Sequence, residues 1–244
     1  MLGKSRLKYI QSLGHKKQRE EEGLFIAEGP KMAEEMLAGM PSLVQEVFGL
    51  EEWIGAVSGK YPAITFTTVS EDELARMSQL TTPNQALLVL KIPPPVQTID
   101  ARGKVTLVLD TIQDPGNLGT IIRIADWFGV QQIVCSEATA DLYNPKVVQS
   151  TMGSIVRVNV MYTALQPWLL ASNAVPAYAA ALEGRSIRET GRLEEGIIII
   201  GNESKGIAPE IMKLVQNRIT IPRVGGAESL NAAVATGIIL SHLT

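Results

Sequence analysis

Short apolar runs separated by helix-sized intervals recur through the second half of this 244-residue chain. Strand-length runs that alternate with intervals long enough for a helix are typical of βα units, which build parallel sheets. The runs are Val105–Asp110, Gln132–Cys135, Ile155–Val160, Ala177–Leu182, Ile197–Gly201 and Arg218–Ile221. This half of the chain is therefore predicted to form an α/β domain around a mostly parallel sheet.

The first half shows the same alternation on a smaller scale. Helix-like stretches at 31–39, 51–58 and 71–79 separate four apolar runs, which are Leu24–Ala27, Val44–Leu50, Ile64–Val69 and Ala86–Ile92. Three consecutive prolines, 93–95, come directly after the last run. Such a segment is stiff and extended and continues neither a helix nor a central strand. We therefore predict a smaller α/β domain at 1–95, a linker at 96–103 and a second domain at 104–244.

Composition excludes several classes of protein. With 45% hydrophobic and 19% charged residues, the chain is typical of a compact globular protein. Its apolar runs are far shorter than the roughly 20 residues that a membrane-spanning helix needs. No secretory signal pattern is recognised, so we expect a cytoplasmic protein without a membrane partner. One cysteine and two histidines argue against a disulfide framework and a His/Cys metal centre, so no metal is expected.

The first 19 residues carry the only strong charge bias in the sequence. They contain no acidic residue, whereas the whole chain has a net charge of −3. Cations close to a nucleic acid gain free energy from counterion release, so this segment is a candidate RNA contact. The alternative is a solvated helix face that the glutamates at 20–22 balance. The basic residues proposed as RNA contacts are Lys4, Arg6, Lys16, Lys17 and Arg19.

A turn rich in Asp, Pro, Gly and Asn follows the apolar run at 105–110 and precedes a helix-like stretch. In an open α/β sheet, ligands bind at the carboxyl ends of the strands, where this turn is predicted to lie. Arg123 follows Asn117 by six residues, less than two helical turns, so both side chains can face one crevice. The alternative is that Asn117 only caps the helix and that Arg123 is a surface cation.

A second polar segment follows the four consecutive isoleucines at 197–200. The predicted strand stops abruptly at Gly201-Asn202-Glu203, and Gly206 lies close behind. Glycines let a ligand approach the backbone closely, so this turn is a candidate binding site. The alternative is an ordinary connection between a strand and a helix.

A third segment contains a Gly-Gly loop after a short strand that ends at Pro222. Ser229 is predicted to cap a helix of small residues, which could pack closely against a cofactor or another backbone. The alternative is a terminal packing helix at a dimer interface. Neither G-x-G-x-x-G nor G-x-x-x-x-G-K-S/T occurs in the sequence, so ATP and dinucleotide chemistry are not favoured.

Together, the three segments resemble the signature motifs of the SpoU family of RNA 2′-O-ribose methyltransferases, within the SPOUT superfamily. Asp-Pro-Gly-Asn-Leu-Gly at 114–119 with Arg123 is similar to the first motif. Gly201-Asn202-Glu203 with Gly206 is similar to the second. Ile221-Pro222 with Ser229-Leu230-Asn231 is similar to the third. All three occur in the family's order over residues 104–244.

The N-terminal part resembles the family's L30e-like substrate-binding domain through its basic start and the segment Gly-Leu-Phe-Ile-Ala-Glu-Gly at 23–29. The sequence departs from the family pattern at Arg223, where methionine is expected. It also departs at Ala232 and Ala233, where a bulkier residue is usual. Neither departure affects a residue that we assign to the chemistry.

The resemblance implies a deep trefoil knot in the C-terminal domain, S-adenosylmethionine bound in that knot, and a homodimer through the same domain. Pattern reasoning alone would propose an ordinary doubly wound sheet, because knots are nearly absent from proteins. The cofactor is expected to contact Ala180, Leu182, Gly201, Ile221 and Leu230. The positions that match the family's polar catalytic residues are Asn117, Arg123, Glu203, Ser229 and Asn231.

Physical chemistry restricts the roles of these residues. A guanidinium holds its proton above pH 12, so Arg123 is expected to clamp a phosphate and stabilise a developing alkoxide rather than act as a base. Glu203 could hold either its own loop or a positive centre. The resemblance of the N-terminal domain, and nothing else in the sequence, favours ribosomal RNA over transfer RNA as the substrate. The alternatives are a noncatalytic L30e-like RNA-binding or ribosome-assembly protein and a generic nucleotide-binding α/β enzyme.

Overall fold

The computed structural model describes residues 2–244, which fold into two compact units. The first unit extends to Pro94 and also includes Tyr143–Val156. The second unit contains Pro95–Leu142 and Arg157–Thr244. The first change of unit therefore falls within the three-proline segment. The inclusion of 143–156 in the first unit was not anticipated from the sequence.

Residues 2–244 form ten strands and ten α-helices. The strands are β1 (Leu24–Glu28), β2 (Val44–Gly49), β3 (Phe66–Thr68), β4 (Ala86–Lys91), β5 (Val105–Asp110), β6 (Gln132–Cys135), β7 (Asn159–Tyr162), β8 (Ala177–Ser186), β9 (Gly196–Gly201) and β10 (Asn217–Thr220). The helices are α1 (Lys4–Ser12), α2 (Lys16–Glu22), α3 (Pro30–Gly39), α4 (Glu51–Val57), α5 (Glu71–Met77), α6 (Pro115–Trp127), α7 (Pro145–Thr151), α8 (Leu165–Ala171), α9 (Pro209–Met212) and α10 (Ala232–Leu243). None of the helices in this described part is long and apolar enough to cross a membrane.

The first unit contains a four-stranded sheet in the order β1-β4-β2-β3. Strand β4 is antiparallel to β1 and β2, and β2 is parallel to β3. Helix α1 contributes Leu7 and Ile10 to the core of this unit. The basic start of the chain is therefore a helix with a buried apolar face, which exposes its lysines on the other side. The predicted smaller N-terminal α/β domain is confirmed.

The segment 143–156 packs within the first unit through apolar side chains. Val147 and Val148 of α7 are fully buried, and the ring centroids of Tyr143 and Phe25 lie 4.9 Å apart. Residues Ser154–Val156 form a 3-10 turn, and β7 begins only at Asn159. The predicted strand at Ile155–Val160 is therefore wrong in its first half. Ile155 is buried in a turn of the first unit rather than in a strand of the second.

The second unit contains a six-stranded sheet in the order β10-β8-β9-β5-β6-β7, and every neighbouring pair is parallel. Strands β5 and β9 lie in the middle of the sheet. Ile198 and Ile199 are completely buried there, as expected for a parallel strand covered on both faces. The predicted parallel-sheet domain is confirmed, and the trefoil knot stays a prediction.

Candidate active site

The carboxyl ends of β5 and β9 lie side by side and position the first two polar motifs. Asp110, the last residue of β5, is paired in register with Gly201, the last residue of β9. The loops that follow these two residues therefore start from neighbouring points of the sheet. This is the sheet edge at which ligands bind in open α/β folds.

Hydrogen bonds from buried groups tie the two loops together. One carboxylate oxygen of Asp110, which is only 6% exposed, accepts the backbone N–H of Ala208 at 2.7 Å. The side-chain amide of Asn202 donates to the carbonyl oxygen of Thr111 at 2.9 Å. Thr111 adopts a left-handed conformation, with φ of 60°, that a non-glycine residue takes only under constraint. The position of one loop therefore fixes the position of the other.

Gly201 and Gly206 allow the second loop to fold back on itself. Asn202 and Gly206 exchange two backbone hydrogen bonds, with N–O distances of 3.0 and 2.8 Å. A Cβ atom added at Gly201 would lie 2.5 Å from the carbonyl oxygen of Gly206, and Gly206 itself has a φ of 68°. The glycine expected to give a ligand access is therefore also needed for the packing of its own loop.

A chain of hydrogen bonds joins one side chain from each of the three motifs. The side-chain amide of Asn231 donates to the side-chain oxygen of Asn117 at 2.9 Å. The side-chain amide of Asn117 donates in turn to a carboxylate oxygen of Glu203. Each amide has only one carbonyl oxygen and one NH₂ group, so these contacts fix the orientation of Asn117 on both sides. We name Asn231, Asn117 and Glu203 the polar triad.

The N-terminal caps of α6 and α10 are compatible with the hydrogen bonds of the triad. Asp114, not Asn117, caps α6, because its carboxylate accepts the backbone N–H of Asn117 at 2.8 Å. The alternative reading of Asn117 as a cap is therefore wrong. Asn231 caps α10 by accepting the N–H groups of Ala233 and Val234 at 3.0 and 3.2 Å. The predicted cap at Ser229 is wrong, because α10 starts at Ala232.

A cavity of about 490 Å³ opens beside the triad, between the ends of β8, β9 and β10 and the segment before α10. Its lining includes the five residues expected to contact a cofactor, which are Ala180, Leu182, Gly201, Ile221 and Leu230. Glu203 and Ser229 also line it. Three charged lining residues were missed in the sequence, namely Lys205, Arg223 and Glu228. Only Arg223 carried a signal, as a departure from the family pattern.

The chemistry of this cavity fits S-adenosylmethionine. Its size lies within the range of about 300–1,000 Å³ that is usual for small-molecule sites. Apolar side chains such as Leu182 and Leu230 offer a surface for the adenine ring. The carboxylates of Glu203 and Glu228 and the cation of Lys205 offer partners for the charged groups of the amino-acid part.

Arg123 makes no hydrogen bond to the triad and does not line the cavity. It lies on the exposed side of α6, whose Ile121 and Ile122 are completely buried. Its side chain makes no hydrogen bond or ion pair with any residue between 2 and 244. The structure therefore leaves its guanidinium available to a group from outside the unit.

The basic residues of the first unit have different environments. Lys4 is exposed, Lys16 and Lys17 face Glu20 and Glu21 at 3.6 and 3.7 Å, and Arg6 pairs with Glu46. Arg19 is only 2% exposed, and one of its guanidinium nitrogens donates to the carbonyl oxygens of Leu13 and Gly14 at 3.1 and 2.7 Å. The prediction of Arg19 as an RNA contact is therefore wrong, because its side chain holds the connection between α1 and α2.

Metal catalysis and a cysteine nucleophile find little support in the described part of the chain. Residues 2–244 contain no group of three or more His, Cys, Asp or Glu side chains that could hold a metal ion. Complete burial raises the pKa of the Cys135 thiol well above its usual range. This thiol therefore stays protonated and is not a nucleophile at neutral pH.

Comparison with known families agrees with the motifs. The sequence model of the SpoU rRNA Methylase family matches residues 104–241, and that of the MRM3-like substrate binding domain matches residues 4–88. The 23S rRNA (guanosine(2553)-2′-O)-methyltransferase RlmP of Bacillus subtilis is 32% identical over 241 residues. That alignment covers 98% of this chain and 95% of the relative.

Solved structures show the same relationship over nearly the whole chain. A protein from Porphyromonas gingivalis, described as an RNA methyltransferase of the TrmH family, is 35% identical with a TM-score of 0.87. The match covers 99% of this chain and 98% of the other. An AdoMet-bound rRNA methyltransferase from Sinorhizobium meliloti is 27% identical with a TM-score of 0.87, over 99% of this chain and 95% of the other. The chain belongs to the SpoU rRNA methylase family, whose enzymes use S-adenosylmethionine to methylate RNA.

Proposed function

We propose that this protein transfers the methyl group of S-adenosylmethionine to a ribose 2′-hydroxyl of ribosomal RNA. The observation that carries this proposal is the polar triad. Its three residues come from three motifs up to 114 residues apart, and hydrogen bonds join them at the edge of the cavity. A noncatalytic RNA-binding protein would have no need of such a constellation beside a cofactor-sized cavity.

The cavity residues hold the cofactor, which supplies a methyl group on a positively charged sulfur. The backbone at Gly201 would receive it closely, because glycine presents no side chain at the sheet edge, and Ile221 would line the opposite part of the cavity. Leu182 and Leu230 would exclude water from its apolar part. Holding the two reactants in line lets positioning supply much of the rate.

The triad and Arg123 would act on the RNA side of the reaction. Asn117, fixed by two hydrogen bonds, would orient the ribose or the neighbouring phosphate. Its bond to Glu203 supports the role of that glutamate in holding the loop. Arg123 has no partner within residues 2–244, and its permanent charge would clamp the phosphate next to the target ribose. The hydroxyl proton would pass to that phosphate or to water.

The first unit would bind the substrate RNA. Its match to a substrate-binding domain covers residues 4–88, and Lys4, Lys16 and Lys17 expose their side chains on α1 and α2. Together with Arg6 these cations would contact phosphates. Ribosomal RNA is favoured over transfer RNA because the Bacillus subtilis relative, which aligns over 98% of this chain, is named as a 23S rRNA methyltransferase.

A homodimer through the second unit is part of the proposal. Trp127 of α6 is 82% exposed and Val234 of α10 is 52% exposed, and these two helices pack together. Large apolar side chains that remain exposed on adjacent helices support a covering partner. A second copy of the chain would provide it. Cytoplasmic location stays a prediction.

Methylation of isolated RNA tests the function. Purified protein and methyl-labelled S-adenosylmethionine are incubated with ribosomal RNA and, separately, with transfer RNA from cells that lack this protein. Label is expected in ribosomal RNA, at one nucleotide whose 2′-O-methyl group is missing from those cells and present in normal ones. Label in transfer RNA alone would contradict the proposal that ribosomal RNA is the substrate. Cofactor binding without label in either RNA would contradict the proposed methyl transfer.

A further inference from the structure

We propose that the first unit contains a second binding site, which takes an unpaired nucleobase of the substrate RNA. The site is a cavity between α1, the end of α2 and the adjoining ends of β2 and β4. This inference rests on the proposed function, because it assumes that the first unit binds RNA. It differs from the phosphate contacts expected of the basic residues, because it names a pocket for a base.

The cavity has a volume of about 610 Å³, which lies within the range of sites for small molecules. Polar side chains from four elements meet in it, and each of them can donate or accept hydrogen bonds. These polar lining residues are Arg6, Tyr9, Glu22, Gln45, Glu46 and Lys91.

Two flat side chains are held in place before any ligand arrives. The guanidinium carbon of Arg6 lies 4.9 Å from the ring centroid of Tyr9, and Arg6 is paired with Glu46. The Tyr9 hydroxyl donates to a carboxylate oxygen of Glu22 at 2.7 Å. Burial and this glutamate raise the pKa of Tyr9, so the hydroxyl keeps its proton. Planar groups that are fixed in this way lose little entropy when a base stacks on them.

Two other lining side chains have unused hydrogen-bonding capacity. Neither the Gln45 amide nor the Lys91 ammonium makes a side-chain hydrogen bond or ion pair with any residue in the range 2–244. An amide can donate and accept at once, which suits the edge of a nucleobase. A lysine at the rim suits the phosphate attached to that base.

The balance of charges favours a base over a free phosphate. Arg6 and Lys91 supply two positive charges, and Glu22 and Glu46 supply two negative charges. A site without net positive charge has little attraction for an anion. It can still stack and hydrogen-bond a neutral heterocycle, and single-stranded RNA is recognised in this way, with bases on aromatic and arginine planes.

Binding of labelled ribosomal RNA fragments to the full-length protein tests the site. Tyr9→Leu removes the ring, and Gln45→Ala removes the free amide. Tyr9→Leu is expected to raise the Kd by about fivefold or more, the scale found when a stacking partner is removed. Gln45→Ala is expected to raise it by about fivefold, because one hydrogen bond to the base is lost. The dependence of log Kd on log salt should stay as in the wild type, because no phosphate contact is lost. Gln11→Ala, an exposed glutamine of α1 outside the cavity, is the control and should change neither quantity.

The outcomes separate this site from the proposed function. If the wild type binds RNA and both folded variants match its affinity, the base site is wrong and the function stands. If Tyr9→Leu and Gln45→Ala keep the wild-type affinity while Lys91→Ala lowers the salt slope by roughly 0.7, the cavity contacts only a phosphate, and the proposal of a base is also wrong. If the wild type binds RNA with the expected variant effects but transfers no methyl group, the base site stands and the proposed function falls. Failure of the wild type to bind RNA would overturn both.

Discussion

The side-chain amide of Asn231 donates a hydrogen bond to the side-chain oxygen of Asn117, 114 residues earlier in the chain. The side-chain oxygen of Asn231 accepts the N–H groups of Ala233 and Val234 in the first turn of α10, so the start of the last helix and the first turn of α6 are linked through one side chain. Asn117 also donates to Glu203, so a substitution of Asn117 should disturb its hydrogen bonds to both Asn231 and Glu203.

Asn117→Asp should therefore lower the rate of methyl transfer more than its small change in size suggests. A carboxylate cannot donate to Glu203, and two like charges in contact repel each other. We expect a loss of at least about tenfold in single-turnover rate, or about 1.4 kcal/mol, with cofactor affinity changed much less. Asn173→Asp, an exposed residue of the second unit, is the control. A wild-type rate in Asn117→Asp would remove the triad from the chemistry.

Arg123→Ala should bind S-adenosylmethionine nearly as well as the wild type, because Arg123 does not line the cavity. It should lose at least roughly a hundredfold in single-turnover methyl transfer, the scale expected when one charge-stabilising donor is removed. Arg123→Lys keeps the charge without the bidentate fork, so partial rescue indicates charge stabilisation and no rescue indicates a geometric clamp. Turnover near that of the exposed control Arg192→Ala, at saturating RNA, would contradict a catalytic role.

Gly201→Ala is expected to damage both the cofactor site and its loop. Sequence reasoning alone predicts that a side chain at this position blocks the cofactor and spares the fold. The added Cβ would lie 2.5 Å from the Gly206 carbonyl oxygen, so the loop must move. Calorimetry should show a Kd for S-adenosylmethionine at least tenfold higher, about 1.4 kcal/mol, and the Tm should fall. Gly55→Ala, with open space around its Cβ in α4, should leave the Kd unchanged and should not lower the Tm, because alanine favours a helix over glycine.

Glu28 should make the stability of the first unit depend on pH. Burial raises the pKa of this carboxyl above its usual value near 4.5, although the Ser78 hydroxyl and the Gln79 N–H partly oppose the shift. As the pH rises from the usual carboxyl pKa to the raised pKa of Glu28, the unfolded chain releases this proton before the folded chain does. The free energy of unfolding therefore decreases over this pH range. Glu28→Gln should remove that decrease, as measured by urea unfolding between pH 4 and pH 8 in roughly half-unit steps. Parallel pH profiles for the variant and the wild type would refute the assignment.

Removal of residues 1–95 should abolish RNA binding and leave cofactor binding, because the cavity lies between residues 180 and 239 of the second unit. The same truncation keeps α7 but removes the rest of the first unit, in which Val147 and Val148 of α7 are buried. Limited proteolysis of the fragment should therefore cut within 143–156, where the intact chain resists. Loss of cofactor binding in a folded fragment would show that the cavity depends on the first unit.

Local patterns were sufficient for the elements but not for the contacts between them. The isoleucine run 197–200 could be assigned to a central strand because a strand covered on both faces is apolar throughout and because isoleucine favours strands. The run at 155–160 misled because buried turns and buried strands are equally apolar. Asn117 and Arg123 were predicted to face one crevice from their spacing, whereas the partners of Asn117 depend on strand order, which no local pattern contains. Arg19 likewise looked like its lysine neighbours, since burial of a cation leaves no mark in composition.

The return of residues 143–156 to the first unit means that the chain passes between units three times, at Pro94–Pro95, Leu142–Tyr143 and Val156–Arg157. A protein joined by a single linker can exchange one half with a relative by one recombination event. A junction at the prolines of this chain would instead combine a foreign first unit with the native α7, whose valines are buried in the native first unit. The two halves are therefore expected to have been inherited together, and chimeras that keep 143–156 with its own first unit should be the ones that fold.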